Sequence, residues 1–154
     1  MREYEEKLKA IIEEERIDAE HLSFDRSCHS VAEAALTVGA EPEDFVKSIC
    51  MVDREGRAIV AIVKGEDRAS TSRVARALGI PRPRIASPEE MLGLTGFPVG
   101  GTPGFGFDAV FLVDPRVLER GEVYLGGGSD MALVKMGTSE LVRANGGRVV
   151  RVRR

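Results

Sequence analysis

Two largely apolar runs, VKSICMV at 46–52 and AIVAIV at 58–63, are separated only by Asp53-Arg54-Glu55-Gly56-Arg57. That polar, glycine-containing spacer suits a tight reversal, so the pair is expected to form a hairpin. Neither run alternates apolar with polar residues, which predicts two central strands with both faces covered. Strands must then flank them and helices must lie on them. The rest of the chain supplies both. Tyr4, Leu8, Ile11 and Ile12 recur at helical spacing and predict an amphipathic helix over 2–15. Ser30 and Glu33 form a capping-box pattern ahead of VAEAALTV, a helix over 30–38 ending near Gly39. STSRVARALG reads as a helix stopped by Gly79 and Pro81, and Ser87-Pro88-Glu89-Glu90 opens another. Short strand material at 84–86, AVFLV at 109–113, EVYL, ALVKM and the edge-like RVVRV interleave with a helix over 139–145. The expected fold is α/β in the α+β sense: one domain over residues 1–154, a central mixed β-sheet, open or barrel-like, surrounded by short helices.

Charge and cysteine content narrow the function. The net charge is −3, so any nucleic-acid contact must come from a local basic patch rather than bulk charge. Cys28 and Cys50 are too few for a disulfide framework, and neither belongs to a CxxC pair. The N-terminal MREYEEKLKAIIEEE lacks the apolar centre of a signal peptide, and no apolar run approaches the roughly 20 residues that span a bilayer. A cytoplasmic location without membrane association is expected.

Several residues stand outside what the fold requires. Lys47 shares a strand face with Ile49 and Met51, so its ammonium emerges from apolar surroundings. It either meets an anion of a ligand or snorkels at the strand end. The loop GFPVGGTPGFGF at 96–107 permits close backbone approach and can aim several N–H groups at one point; a merely flexible connection is the alternative. Gly126-Gly127-Gly128-Ser129-Asp130 is either a turn or a second backbone wall of a pocket. Cys28 and His29 are adjacent, so their side chains diverge and a thiolate–imidazole dyad is not expected. No Ser/His/Asp set and no metal-ligand spacing is visible. Arg73 with Arg76, and Arg148, Arg151, Arg153 and Arg154, form two basic groups that either hold RNA phosphates or are solvated surface.

Taken in order, Cys28-His29-Ser30-Val31-Ala32-Glu33, Val46-Lys47-Ser48, Lys64-Gly65-Glu66-Asp67-Arg68, Ala86-Ser87-Pro88-Glu89-Glu90, Thr95-Gly96-Phe97, Gly100-Gly101-Thr102-Pro103, Val113-Asp114-Pro115 and the Gly-Gly-Gly-Ser segment resemble the YbaK/ProX group of trans-editing aminoacyl-tRNA deacylases, related to the insertion domain of bacterial prolyl-tRNA synthetase. The resemblance implies hydrolysis of a wrongly attached amino acid from tRNA by water attack on the ester. A small residue such as alanine or cysteine on tRNA for proline is implied as cargo, and prolyl-tRNA synthetase as a partner. It implies that Lys47 anchors the 3′ end and that Gly100 and Gly101 position the carbonyl. His29, Met51, Thr102, Pro103, Gly127, Gly128, Ser129 and Asp130 are implied as substrate-binding. No cofactor or metal is expected, and a monomer is the default. Two departures bear on selectivity. Relatives place a proline four residues after the loop glycine, whereas here Gly104 holds that place and Pro103 stands one residue early. The synthetase-inserted domain has a later histidine where Gly128-Ser129-Asp130 stands. A non-catalytic tRNA- or synthetase-binding module of the same fold is the competing expectation.

Overall fold

The structure, a computed structural model, describes residues 2–25, 27 and 31–154. The central hairpin forms where the apolar runs predict it, from β2 (Val46–Val52) and β3 (Ala58–Lys64), in antiparallel register from Val46↔Lys64 to Val52↔Ala58. Both strands are internal. β3 pairs in parallel with β5 (Val110–Val113), which pairs in parallel with β8 (Arg148–Val149) at the edge. The other edge of β2 carries the short β4 (Arg84–Ile85) at its far end, through Met51↔Ile85 and Val52↔Arg84. A second, three-stranded sheet contains β1 (Ala19–Ser23), β6 (Glu122–Gly126) and β7 (Ala132–Gly137) in the order β1-β7-β6, all antiparallel.

The expected mixed sheet is therefore present in two hydrogen-bonded sets. Among the described residues, backbone pairing links them through an isolated parallel bridge between Phe45 and Tyr124, whose rings stack with centroids 5.0 Å apart. β6 thus takes the near end of the same β2 edge whose far end β4 occupies.

Five helices cover these sheets: α1 (Glu3–Glu14), α2 (Val31–Val38), α3 (Thr71–Leu78), α4 (Pro88–Thr95) and α5 (Thr138–Asn145). The predicted punctuation operates. Ser70 accepts from the Arg73 N–H, Ser87 and Glu90 close a capping box with Pro88 following, and Gly79 and Gly96 end their helices at φ 65° and 80°. Ser30, read as the cap of α2, lies outside the described residues. Side chains alternate between two packing layers. Val60, Ile62, Phe111 and Val113 pack with Val123, Leu125, Val134 and Met136 of the smaller sheet and with Leu8, Phe97, Phe105 and Leu141. On the opposite face, Met51, Ile59, Ala61 and Val63 lie under Val74 of α3, and Phe45 and Leu133 lie under Ala34 and Ala35 of α2.

β1 and two 3-10 turns, Pro42–Asp44 and Pro115–Glu119, had no counterpart in the sequence reading. AEHLS carries one large aliphatic residue, so the segment becomes a strand only because β7 offers it a ladder. Among the described residues, no helix is long and apolar enough to cross a membrane.

Asp114 fastens the C-terminal segment to the end of β5. It is fully buried, and its carboxylate accepts from the N–H groups of Val152, Arg153 and Arg116 and from the Arg153 guanidinium. Burial pushes its pKa up, but these donors outweigh burial and hold it below the usual carboxylate value. A depressed carboxyl stabilises the fold above its unfolded pKa and loses that contribution as pH falls through the folded value. Asp114→Ala strands a half-buried guanidinium and three amides, so urea unfolding at neutral pH should show a loss of about 3 kcal/mol, shrinking under strong acid.

Candidate functional site

Lys47 lies two residues beyond Phe45 on β2, and Gly126 two residues beyond Tyr124 on β6. Because the Phe45–Tyr124 bridge is parallel, both strands leave it in the same direction, which puts Lys47 and Gly126 on the same side of it. Residues two apart share a face, so Lys47 projects on the Phe45 and Tyr124 side, between the ground covered by α2 and that covered by α3. A Cβ on Gly126 would overlap the Thr102 carbonyl oxygen and lie within 3.0 Å of the Gly101 carbonyl carbon. The main chain of Gly101 and Thr102 thus crosses that face in the space a side chain at 126 would fill. Only glycine lets backbone meet backbone so closely.

The second glycine segment is stitched to the first. Gly128 donates its N–H to the Gly101 carbonyl at 2.8 Å, and a Cβ on Gly101 would overlap the Ser129 nitrogen. Gly127 leaves no room beside Ala132 and Leu133, and its carbonyl accepts from His21 Nε2 at 2.7 Å. The two segments therefore form one joint wall. Gly101 spends its N–H on the Pro98 carbonyl, and Thr102 Oγ1 donates to the same oxygen. Among the described residues, the amides of Gly100 and Thr102 have no partner, and Gly100 is exposed at φ 87°. Of the two glycines expected to position a carbonyl, Gly100 is the one with a donor to offer.

The remaining site candidates divide clearly. Thr102, Pro103, Gly127 and Gly128 are buried within the wall, Ser129 is half-buried behind it, and Asp130 is exposed at its rim. Met51 is fully enclosed, between Ile59 and Ile85 on neighbouring strands and packed with Val74 in the layer under α3. It is four residues from Lys47 and serves the core rather than an open surface. His29 lies outside the described residues. Cys50 is a buried free thiol whose pKa is pushed up by burial and then by the Glu90 carboxylate, which leaves it unreactive.

Lys47 is half-buried and forms no ion pair or hydrogen bond among the described residues. Burial lowers its pKa first, the Arg68 guanidinium lowers it further, and the Asp67 carboxylate pulls it back up. Asp67 itself accepts from Arg116 at 2.7 Å through Oδ1, while its Oδ2 is buried without a partner. The ammonium thus has no ion-pair partner among the described residues, with the Asp67 charge opposed by that of Arg68, a balance that favours an incoming anion. Among the described residues, no group of three or more His, Cys, Asp or Glu could hold a metal ion.

With that geometry in place, similarity to known proteins becomes informative. A family model described as an aminoacyl-tRNA editing domain matches residues 25–144. The chain belongs to that family. Solved structures agree with this editing domain over its whole length. The crystal structure of the hypothetical protein APE2540 is 31% identical with TM-score 0.87, covering 96% of this chain and 99% of that one. The crystal structure of a candidate trans-editing enzyme for prolyl-tRNA synthetase is 29% identical with TM-score 0.91, covering 100% and 99%. A scaffold protein used for computational grafting of linear epitopes is 25% identical with TM-score 0.90. No curated protein matches the chain.

The editing domain's wall leans on an element outside the matched segment. Glu5 of α1, with a side chain only 2% exposed, accepts from Ser129 Oγ at 2.7 Å, Ser23 Oγ at 2.7 Å and Arg2 at 2.8 Å. Gly128 packs directly on the backbone of Tyr4 and Glu5, and Lys7 donates to the Gly96 carbonyl while lying over the Phe97 ring. Helix α1 thus braces both glycine-rich segments. The sequence reading missed Glu5, although it falls on the apolar face at the i, i+3, i+7 spacing shared with Leu8 and Ile12, where an acid is conspicuous. Burial raises the Glu5 pKa, but its hydroxyl and guanidinium donors bring it below the ordinary value. Glu5→Ala should lower stability by about 2 kcal/mol in urea titrations at neutral pH, with the difference shrinking as pH falls below the ordinary glutamate range and the carboxyl protonates.

Proposed function

We propose that this chain hydrolyses the ester bond of mischarged tRNA, with Lys47 anchoring the 3′ end and the Gly100–Thr102 main chain receiving the ester carbonyl. The observation that carries this reading is a half-buried Lys47 ammonium without an ion-pair partner among the described residues, within an aminoacyl-tRNA editing domain whose glycine-rich loop leaves the Gly100 amide unpaired. Water attack on an aminoacyl ester builds negative charge on the carbonyl oxygen, and an N–H aimed there stabilises the transition state more than the ground state. The Gly100 amide is free to serve in this way, while the anchored terminal nucleotide holds the ester against it.

Two features bear on selectivity. Pro103 is buried within the wall one residue before the place that relatives reserve for proline, and Gly104 has so little room that a Cβ would lie 3.1 Å from both Ile62 and Leu141. The loop is thus held against the core, and alanine or cysteine on tRNA for proline is the proposed cargo. Proton transfer is assigned to the ribose hydroxyl next to the ester, a substrate-assisted route that needs no general base from the protein.

The test is a deacylation panel of alanyl-, cysteinyl- and prolyl-tRNA for proline with purified protein and Lys47 variants. Lys47→Ala should lower kcat/KM by 10²-fold or more, while urea stability stays unchanged or rises, because folding disfavours this ammonium. Retained activity in Lys47→Ala would sink the assigned role, and release of no amino acid by the native protein would favour the non-catalytic binding module. The enzyme-dependent rate, after subtraction of spontaneous hydrolysis, should also decline at a pH below the ordinary lysine range. The cation is lost as pH rises through its lowered pKa.

A further inference from the structure

Two stretches of the chain, 68–88 and 141–154, hold ten of its 22 Lys and Arg residues and none of its 25 Asp and Glu. All ten are arginine. The fold lays the two stretches against each other. Ser70 donates its N–H to the Val152 carbonyl at 2.7 Å, Arg154 donates its N–H to the Arg68 carbonyl at 2.8 Å, and Ala69 and Arg153 form an antiparallel bridge. Arg148 reaches across to the Ala77 carbonyl at the last turn of α3, at 2.7 Å. Three of the arginines are neutralised, Arg84 by Glu90, Arg143 by Glu140 and Arg153 by Asp114. Arg68, Arg73, Arg76 and Arg82 on one side of the seam, and Arg148, Arg151 and Arg154 on the other, have no carboxylate partner among the described residues.

A chain of net charge −3 that gathers seven guanidinium groups without a carboxylate partner among the described residues along one seam concentrates positive charge there. Such a field orients a polyanion before contact and repels it from the rest of the surface. Guanidinium is also the side chain whose planar fork matches phosphate oxygens in pairs. The seam begins at the candidate site, since Arg68 stands close enough to Lys47 to act on its charge.

We propose that the seam between α3 and the C-terminal segment binds the base-paired stem of the RNA substrate through its phosphates and directs its 3′ end towards Lys47. This rests on the reading of the chain as a tRNA deacylase. The stem contacts carry no sequence information, so the seam supplies affinity and approach while the pocket selects the amino acid.

The experiment compares Arg76→Glu/Arg151→Glu with a control of equal charge change away from the seam, Lys9→Glu/Arg54→Glu. All four positions are solvent-facing. Two readouts are taken: binding of uncharged tRNA across a salt series, and deacylation of aminoacyl-tRNA beside a minimal 3′-aminoacyl-adenosine ester. The seam variant should raise Kd and KM for tRNA roughly tenfold or more and flatten the log–log salt slope by about 0.9 per lost contact. Its kcat, and its turnover of the minimal ester, should match the native protein. A seam variant indistinguishable from the control on tRNA overturns the proposal. So does competition by polyglutamate as effective as competition by RNA. Salt-dependent tRNA binding lost in the seam variant, in a protein that hydrolyses neither substrate, would overturn the deacylase reading while leaving the seam as an RNA surface.

Discussion

The structure depends on a contact between two stretches of naked backbone. Where Gly101 and Thr102 pass over Gly126, and where Gly128 hydrogen-bonds back to Gly101, the main chains approach too closely for any Cβ. That contact joins a loop leaving the core layer to the end of a strand in the smaller sheet. It also turns two segments that are individually permissive into a rigid wall. A flexible loop would have to be ordered by its substrate, whereas a wall already held in place spares that cost during the reaction.

The wall is placed by events some distance from it. The parallel Phe45–Tyr124 bridge sets β6 beside the start of β2, so that Gly126 and Lys47 follow it in the same direction. The buried Glu5 carboxylate ties α1 to Ser129 and Ser23, so an N-terminal helix outside the matched family segment becomes a support for the site. On the other side of Lys47, the connection from β3 to α3 contributes Asp67 and Arg68, whose opposing charges leave the ammonium partly compensated. Site and scaffold are thus coupled through a few contacts of high sequence separation.

Much of this was legible in the sequence. The largely apolar runs identified the central hairpin, the helix stop at Gly79 was written in glycine, and Lys47 stood out because a cation on an apolar strand needs a reason. Other features could not be read. AEHLS has no strand signature of its own and pairs only because β7 is there. The engagement of the Gly101 amide with Pro98, which leaves Gly100 as the available donor, is a property of the turn and not of composition. Met51 shares Lys47's face but sits where α3 and β4 enclose it, so common strand parity did not make it part of the site. The two arginine groups were visible separately, yet only the packing of the C-terminal segment on α3 makes them one surface.

The most direct check on the central claim is a crystal structure with a non-hydrolysable analogue in which an amide replaces the ester between a small amino acid and the 3′ end of a terminal adenosine. The account predicts a phosphate or ribose oxygen of the analogue at hydrogen-bonding distance from Lys47 Nζ, with the amide carbonyl facing the Gly100 N–H. An analogue bound elsewhere, or bound in this cleft with Lys47 turned to solvent, would contradict it.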